Sequence, residues 1–396
     1  MDHVAALLVE LGLLFLGLAG LGLLARRLGL SPIPFILVAA LALGDGGVVP
    51  LEAAGPFVEL TAEIGVVLLL LTLGLEFSSA ELFASLRRHG SSGLVDLLLN
   101  APPGFVAGLL LGLSWQGSMA LAGVTWISSS GIVARLLSDL GRLGNRETPA
   151  VLSVLVLEDV AMALFLPLLV VALAGGGPVQ AVAGIALALA AVLTVLGAAH
   201  RHGHRLGRLL AHPEDEQVLL RLLGLTLLVA GVAQAAGASA AVGAFLVGIA
   251  VPASFADRAR AILGPLRDLF AATFFVGFGL STDPGAVLPV LPGVVLLALV
   301  TTVTKLGTGW FAARRDGVAV PGRLRAGAAL VARGEFSIVI AGLAVTAGVV
   351  EVGPIATGYV LVVAVAGPVL ARFIEPLTAG SVARLPSRAA TAGSSG

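Results

Sequence analysis

Apolar runs of about 20 residues recur along the whole chain, and nearly all of its positive charge sits in every second segment between them. A run of that length crosses a hydrocarbon core about 30 Å thick as an α-helix, which satisfies its own backbone polar groups without water. Thirteen spans are predicted, at roughly 4–24, 32–49, 57–75, 91–113, 116–138, 149–174, 178–199, 217–236, 238–253, 262–281, 286–312, 322–349 and 354–374. The chain has 22 Arg and a single Lys. Odd-numbered loops hold Arg26 and Arg27; Arg87 and Arg88; Arg135, Arg142 and Arg146; Arg201, Arg205, Arg208 and Arg221; Arg258, Arg260 and Arg267; and Arg314, Arg315, Arg323 and Arg325. The tail adds Arg372, Arg384 and Arg388, which brings the total to 21 of 23 basic residues; the even-numbered loops hold none. A miscounted span would scramble this alternation. The positive-inside rule then puts the odd loops and the C-terminus in the cytoplasm and the N-terminus outside, as in a multi-pass protein of the cell (inner) membrane.

Composition closes off other classes. The chain is 58% hydrophobic and 12% charged, against about 25% charged in a soluble domain. Strand-type alternation is absent, so a β-barrel is not expected. A net charge of zero suggests no nucleic-acid partner. The absence of Cys excludes disulfides and thiolate metal sites, and no cofactor is expected. The first span has Asp2 and His3 before it and Arg26-Arg27 after it, the reverse of a cleavable signal, so it reads as retained.

Among the ionisable residues inside the spans are Asp96, Glu158, Asp159, Lys305, Arg333 and Glu335. Each carries a large insertion cost and is a functional hypothesis by default, the bland alternative being a helix-joining ion pair. Glu158 and Asp159 lie in "SVLVLEDVAMALFLPLLVVALAG" (153–175), roughly 18 Å beyond Arg146 at 1.5 Å per residue. Lys305 lies roughly 13 Å before Arg314 on the same measure. Both depths fall near the middle of the bilayer. Asp96 has no assigned role at this stage beyond supporting the site or facing a water-filled entrance.

The chain also repeats itself. "GLSPIPFILVAALALG" (29–44) resembles "GASAAVGAFLVGIA" (237–250), and "LTLGLEFS" (71–78) resembles "FVGFGLST" (275–282). Gly74 and Gly279 are 205 residues apart, and the same offset carries Ser129 onto Gly334. Spans one to six thus map onto eight to thirteen with opposite topology, a hallmark of secondary transporters. The expected layout is a transmembrane domain over 1–376, made of repeat one (4–174), a linker helix (178–199) and repeat two (217–374), followed by a flexible tail (377–396) whose "AGSSG" end resembles a tag remnant. Spans five ("GVTWISSSGIVARLL", 123–137) and twelve ("ALVARGEFSIVIAG", 329–342) each carry Gly with polar neighbours at mid-depth, where a helix break exposes dipole ends. Glu335 can then face half-helix N-termini and Arg333 the C-terminal carbonyls, while Ser128, Ser129 and Ser130 offer oxygens.

A carboxylate at low dielectric holds a proton readily, and a monovalent cation competes for the same oxygens. One site that takes either is the simplest exchanger, and Asp159 suits it. Successive helical residues point about 100° apart, so Glu158 faces a different neighbour, and Lys305 lies at matching depth.

These residues carry a family resemblance. Over about residues 4–375 the chain resembles monovalent cation:proton antiporters of the second cation:proton antiporter superfamily. It is similar both to thirteen-span bacterial Na⁺/H⁺ exchangers and to the membrane domain of Kef-type K⁺ efflux systems. The matching stretches are "LTLGLEF", "ISSSGIVARLLSDLGRL", "LVLEDVAMA", "FFVGFGLST", Lys305 and "ARGEFSIVIAG". The resemblance implies an all-α fold of two inverted six-helix repeats, whose crossed discontinuous helices meet beside the acidic pair, and a homodimer. It implies Asp159 as the group binding ion or proton and as the ligand of the transported metal cation, oxygens from Ser128, Ser129 and Thr125, Lys305 as charge partner of Glu158, and Glu335 as the acid of the second crossing. Glu158-Asp159 departs from the usual Asp-Asp, Asn-Asp or Gln-Asp pair, which leaves stoichiometry and Na⁺ against K⁺ open. Kef-type systems continue into a nucleotide-binding domain, so soluble regulation is expected from another chain, if at all.

Alternatives at this stage are a sodium-coupled symporter of the same fold and a cation channel. An intramembrane aspartyl protease would need two facing Asp in a Gly-x-Gly-Asp context that the spans lack, so no enzyme is expected. The His-rich loop "HRHGHRLGRLLAHPEDE" (200–216) reads as a solvated loop, with pH sensing as the sharper alternative.

Overall fold

The structure, a computed structural model, describes residues 3–44, 54–75, 79–175, 207, 210–235 and 240–382. The expected linker helix at 178–199, most of the His-rich loop and the tail beyond Val382 lie outside the described residues. The helices, in chain order, are α1 (His3–Leu28), α2 (Ile33–Leu43), α3 (Gly55–Leu75), α4 (Ser79–Leu110), α5 (Trp115–Trp126), α6 (Ser130–Asp139) and α7 (Thr148–Leu173), then α8 (Asp215–Ala235), α9 (Ala240–Ala250), α10 (Ala253–Leu280), α11 (Pro284–Arg315), α12 (Val320–Ala329), α13 (Glu335–Thr346) and α14 (Val352–Val382). No strand occurs among the described residues. The all-α fold expected from the apolar runs is what forms, and nine segments among the described residues are long and apolar enough to cross a membrane. The chain is a multi-pass membrane protein.

Local chemistry places several boundaries. Ser114 caps α5 by accepting from the Gly117 N–H at 3.2 Å, and Asp283 caps α11 by accepting from Gly285 N–H at 2.8 Å, with Pro284 following where a missing N–H costs nothing. Along α1 the apolar side chains point outward; Leu16 is 73% exposed, as suits a helix face bathed in lipid rather than protein. Where helices touch, small residues let the backbones approach, because lipid is as apolar as Leu and packing alone must hold them. A Cβ on Gly74 of α3 would fall 2.8 Å from Gly248 Cα of α9.

The helices form two groups. In one, α3 packs along α10 and α9, with α2 and α8 completing it around Leu68, Leu71, Val247 and Leu263. In the other, α4 lies against α5, α7 and α11, while α11 packs on α12 and α14. Contacts between the groups are sparser and run through α2 with α14, α10 with α13 and α9 with α7. The second group holds every intramembrane charge singled out above.

Both predicted breaks form inside that second group. The span-five segment divides at Ile127–Ser129 into α5 and α6, and the span-twelve segment divides at Leu330–Gly334 into α12 and α13. The two breaks lie against each other: Ser129 N–H donates to Ala332 O across the crossing at 2.9 Å rather than to its own helix. Gly334 has to be Gly, since a Cβ there would sit 2.6 Å from Ser129 Oγ.

Candidate functional site

Breaking two helices at mid-membrane leaves carbonyls and N–H groups that nothing in the lipid can satisfy. Arg333, Ser337 and Glu335 deal with them. Arg333 is fully buried, and its fork reaches the carbonyl ends of both first halves: Nε and Nη2 donate to Thr125 O of α5 (3.1 and 2.5 Å), and Nη1 donates to Leu330 O and Val331 O after α12 (3.0 and 2.7 Å). A planar guanidinium provides several donors at fixed angles, which an ammonium does not. Ser337 Oγ donates to Val124 O (2.9 Å) and covers the neighbouring carbonyl. At the other ends, Glu335 opens α13, accepts from Ser129 Oγ (2.9 Å) and stands over Gly131 at the start of α6. Negative charge at two helix N-termini and positive charge at two C-termini is the arrangement the dipoles favour.

Beside the crossing, three helices contribute a buried charge cluster. Lys305 of α11 donates to Glu158 Oε1 of α7 and to Asp96 Oδ1 of α4, both at 2.6 Å, and all three side chains are buried. Glu158 Oε2 also accepts from the Ser128 N–H at 2.5 Å, so the break's free backbone donor is used by the acid pair. Ser128 Oγ lies 3.0 Å from Glu158 Oε1 and 2.9 Å from Leu330 O; its one hydroxyl hydrogen serves one of them at a time. Asp96 takes further donors: Asn100 Nδ2 at 2.9 Å and, on its second oxygen, Trp126 Nε1 at 2.9 Å. Asn100 is held in turn by Thr304 Oγ1, which donates to its Oδ1 at 2.8 Å, and by donating to Thr308 Oγ1 at 3.0 Å.

Asp159 follows Glu158 on α7, turns to another face, is half buried and is itself engaged by a neighbour. Of the oxygens expected to serve an ion, Ser128 faces Glu158, Ser129 Oγ is given to Glu335 and also caps α6, and Ser130 starts α6 on a cavity wall. Thr125 points elsewhere: its carbonyl is under Arg333 and its hydroxyl donates to Asn100 O (2.9 Å) and Ala122 O (3.1 Å). Asp96, Asn100 and Trp126 form a part of the site that the sequence did not connect to Lys305. The signal available for Asp96 was its intramembrane charge alone; Asn100 and Trp126 gave none.

Two cavities lie between the helix groups. One, of about 200 Å³, is walled by Leu30, Ser31, Ile33, Ile132, Arg135 and Glu335. The other, of about 300 Å³, is walled by Thr72, Leu73, Ser130, Asp268, Phe275 and Glu335. They share Ile33, Gly131 and Glu335, so both lead to the N-terminal ends of α6 and α13. When all are ionised, four carboxylates (Asp96, Glu158, Asp159 and Glu335) face two cations (Lys305 and Arg333). The excess is negative, which favours uptake of a cation or protons.

Comparison with known proteins agrees with this architecture. The chain is 31% identical to a K(+)/H(+) antiporter subunit of Bacillus subtilis, KhtU, over 94% of each chain. It is 28% identical to an ammonium/H(+) antiporter subunit of Alkalihalophilus pseudofirmus, AmhT, over 85% of this chain and 86% of the relative. The glutathione-regulated potassium-efflux protein KefC of Escherichia coli is 29% identical over 86% of this chain, which spans 56% of that longer protein. The sodium proton antiporter MjNhaP1 of Methanocaldococcus jannaschii shares the fold, with a TM-score of 0.67 over 94% of this chain and 99% of the other at 17% identity. The family model described as "Sodium/hydrogen exchanger, transmembrane" matches residues 12–375, and with two broken helices crossing beside a buried acid pair, this chain belongs to the sodium/hydrogen exchanger family.

Proposed function

We propose that this protein exchanges a monovalent cation for protons by alternating access, with Asp159 carrying cation and proton in turn and Glu158 held by Lys305. The observation that carries the reading is the meeting of two helix interruptions with the Glu158–Lys305 pair at mid-membrane, each dipole end matched by a charge. Carboxylate and hydroxyl oxygens suit a hard alkali cation or ammonium. The cation is K⁺ in this reading, because the KhtU and KefC relatives bear potassium in their names and align over most of this chain.

The sparse boundary between the helix groups, with its two cavities ending at Glu335, supports movement of the α4–α7/α11–α14 group against the α2–α3/α8–α10 group. Arg135, Asp139, Arg267 and Asp268 lie at these cavities, and the positive-inside pattern assigns their loops to the cytoplasm. The captured state is therefore inward-facing in the cell membrane, with the N-terminus outside. Assembly as a homodimer, and the division into two inverted repeats, rest on the resemblance and on the 205-residue offset. A symporter of an organic anion is disfavoured by the negative excess at the site, and a channel by the occupied crossing.

Purified protein in proteoliposomes with an internal pH dye tests the reading. Addition of K⁺ should drive proton movement, with Na⁺ and NH₄⁺ giving the order of preference, and Asp159→Ala should abolish it. Normal exchange in Asp159→Ala would remove Asp159 from the role; cation flux without proton movement would make the protein a channel.

A further inference from the structure

We propose that the larger cavity, of about 300 Å³, ends in a loading site for the transported alkali cation that is separate from Asp159, with Glu335 Oε1 and the Ser130 and Thr72 hydroxyls as its ligands. This rests on the antiport reading above and deepens it: the ion pauses at this site on its way between the cytoplasm and Asp159.

Three oxygens on that cavity wall have bonding capacity left. Glu335 uses Oε2 to accept from Ser129 Oγ (2.9 Å), whereas its Oε1 accepts no hydrogen bond and pairs with no cation among the described residues. Oε1 stands over Gly131, where even an added Cβ would come no nearer than 3.5 Å, so it stays open to the cavity that both residues line. Ser130 Oγ has no hydrogen-bond partner among the described residues either. Thr72 Oγ1 donates along its own helix, to Leu68 O or Leu69 O, which leaves its lone pairs for a ligand. The other charges on the cavity walls are already matched. Arg267 binds Asp268 Oδ1 from Nε (2.9 Å) and Nη2 (2.6 Å), and Arg135 lies 3.5 Å from Asp139. Glu335 is the acid left for an incoming cation.

Carboxylate and hydroxyl oxygens are the ligands a hard cation takes, and the cavity has room for the ion to keep several of its waters. The N-termini of α6 and α13 offset part of the carboxylate's charge, and the shell is only partly protein, so the site is weaker than Asp159. A stopping place on a route has to be weak, because an ion held tightly does not move on. The two sites lie on either side of one helix break: Ser129 holds Glu335, and the preceding Ser128 faces Glu158, the neighbour of Asp159. Thr72 belongs to one helix group, while Ser130 and Glu335 belong to the other. Movement of one group against the other parts these ligands, so the loading site exists only in the inward-facing state.

Inside-out and right-side-out vesicles carrying the full chain, given external K⁺ and read by an internal pH dye, present the ion to the cytoplasmic and outer faces in turn. A loading site speeds entry and exit alike. Glu335→Gln is therefore expected to raise KM for K⁺ at the cytoplasmic face by about tenfold or more, the scale on which charged clefts raise on-rates. With K⁺ presented at the outer face, the same variant should lose Vmax through slowed release, without a rise in KM. Glu335→Asp should recover part of the loss. Thr72→Val leaves every charge at the crossing in place and should shift the same constants in the same directions by a smaller factor. Dipole compensation alone predicts a fall in Vmax in both directions, an unchanged cytoplasmic KM and no effect of Thr72→Val; that pattern overturns the proposal. An unchanged cytoplasmic KM in Thr72→Val overturns it even if Glu335→Gln fails to fold. Absence of proton movement in the wild type from either face, with K⁺, Na⁺ or NH₄⁺, instead removes the antiport reading on which this one stands.

Discussion

Lys305 Nζ sits 2.6 Å from Asp96 and 2.6 Å from Glu158, so one ammonium joins α4, α7 and α11 at the depth where two other helices break. Removing it strands two buried carboxylates, and breaking a buried ion pair from one side costs about 3–5 kcal/mol. Lys305→Ala is expected to lower the thermal midpoint in detergent clearly. Adding Asp96→Asn and Glu158→Gln to it should recover much of the loss, because the stranded charges are then gone. If the triple variant is no more stable than Lys305→Ala, the cluster is not held as described.

Asp159 should separate stability from transport. A ligand at about a hundred times its Kd stabilises the state that binds it by about 2.7 kcal/mol. Saturating K⁺ should therefore raise the midpoint of the wild type, and that rise should vanish in Asp159→Asn while the cation-free midpoint stays close to wild type. A cation-dependent rise of full size in Asp159→Asn would move the binding site elsewhere.

Arg333 serves three carbonyls from two broken helices. Hydrogen bonds from a charged group contribute about 1.5–3 kcal/mol each. Arg333→Ala should lose exchange altogether and unfold at lower temperature. Arg333→Lys keeps the charge without the fork, so exchange is expected to fall at least about tenfold, equivalent to about 1.4 kcal/mol. Equal activity in Arg333→Lys and wild type would show that charge alone suffices at the crossing.

Gly334→Ala tests the crossing by size rather than charge. The added methyl would lie 2.6 Å from Ser129 Oγ and 2.8 Å from Ser129 Cβ, in a place with no room to yield without moving the break. Exchange should drop severely, with a smaller effect from Gly342→Ala, where the nearest atom is 3.5 Å away. Flux assays on the two variants side by side decide it.

At the start of α7, Glu147 is buried against Arg325 of α12, which donates from Nε at 2.6 Å and from Nη2 at 3.2 Å, and Asn145 donates at 2.9 Å. Burial pushes the Glu147 carboxyl up, but the bonds from Arg325 and Asn145 outweigh it and hold the group below its ordinary value of 4.5. A lowered native value means the contribution is complete above that ordinary value and disappears as pH falls through the native one. Below pH 4.5 the wild type should therefore lose stability more steeply than Glu147→Gln; parallel midpoint-against-pH curves would exclude the effect.

The amino-acid sequence alone determined the all-α membrane architecture, since twenty apolar residues in lipid have one way to satisfy their backbone. It also marked the two interruptions, because Gly and Ser beside Arg333 and Glu335 at mid-depth are a local signal. Hydropathy is read along the chain, and so are these features. What only the tertiary structure decided is who faces whom. Lys305 and Asp96 are 209 residues apart, and no pattern in either segment announces the other. Ser128, Ser129 and Thr125 looked alike as oxygen donors, yet folding turned one to Glu158, one to Glu335 and one away to Asn100. Partner choice inside a bilayer depends on how close two helices come and at what rotation, and small residues on both faces, such as Gly309 against Gly327, set that distance jointly.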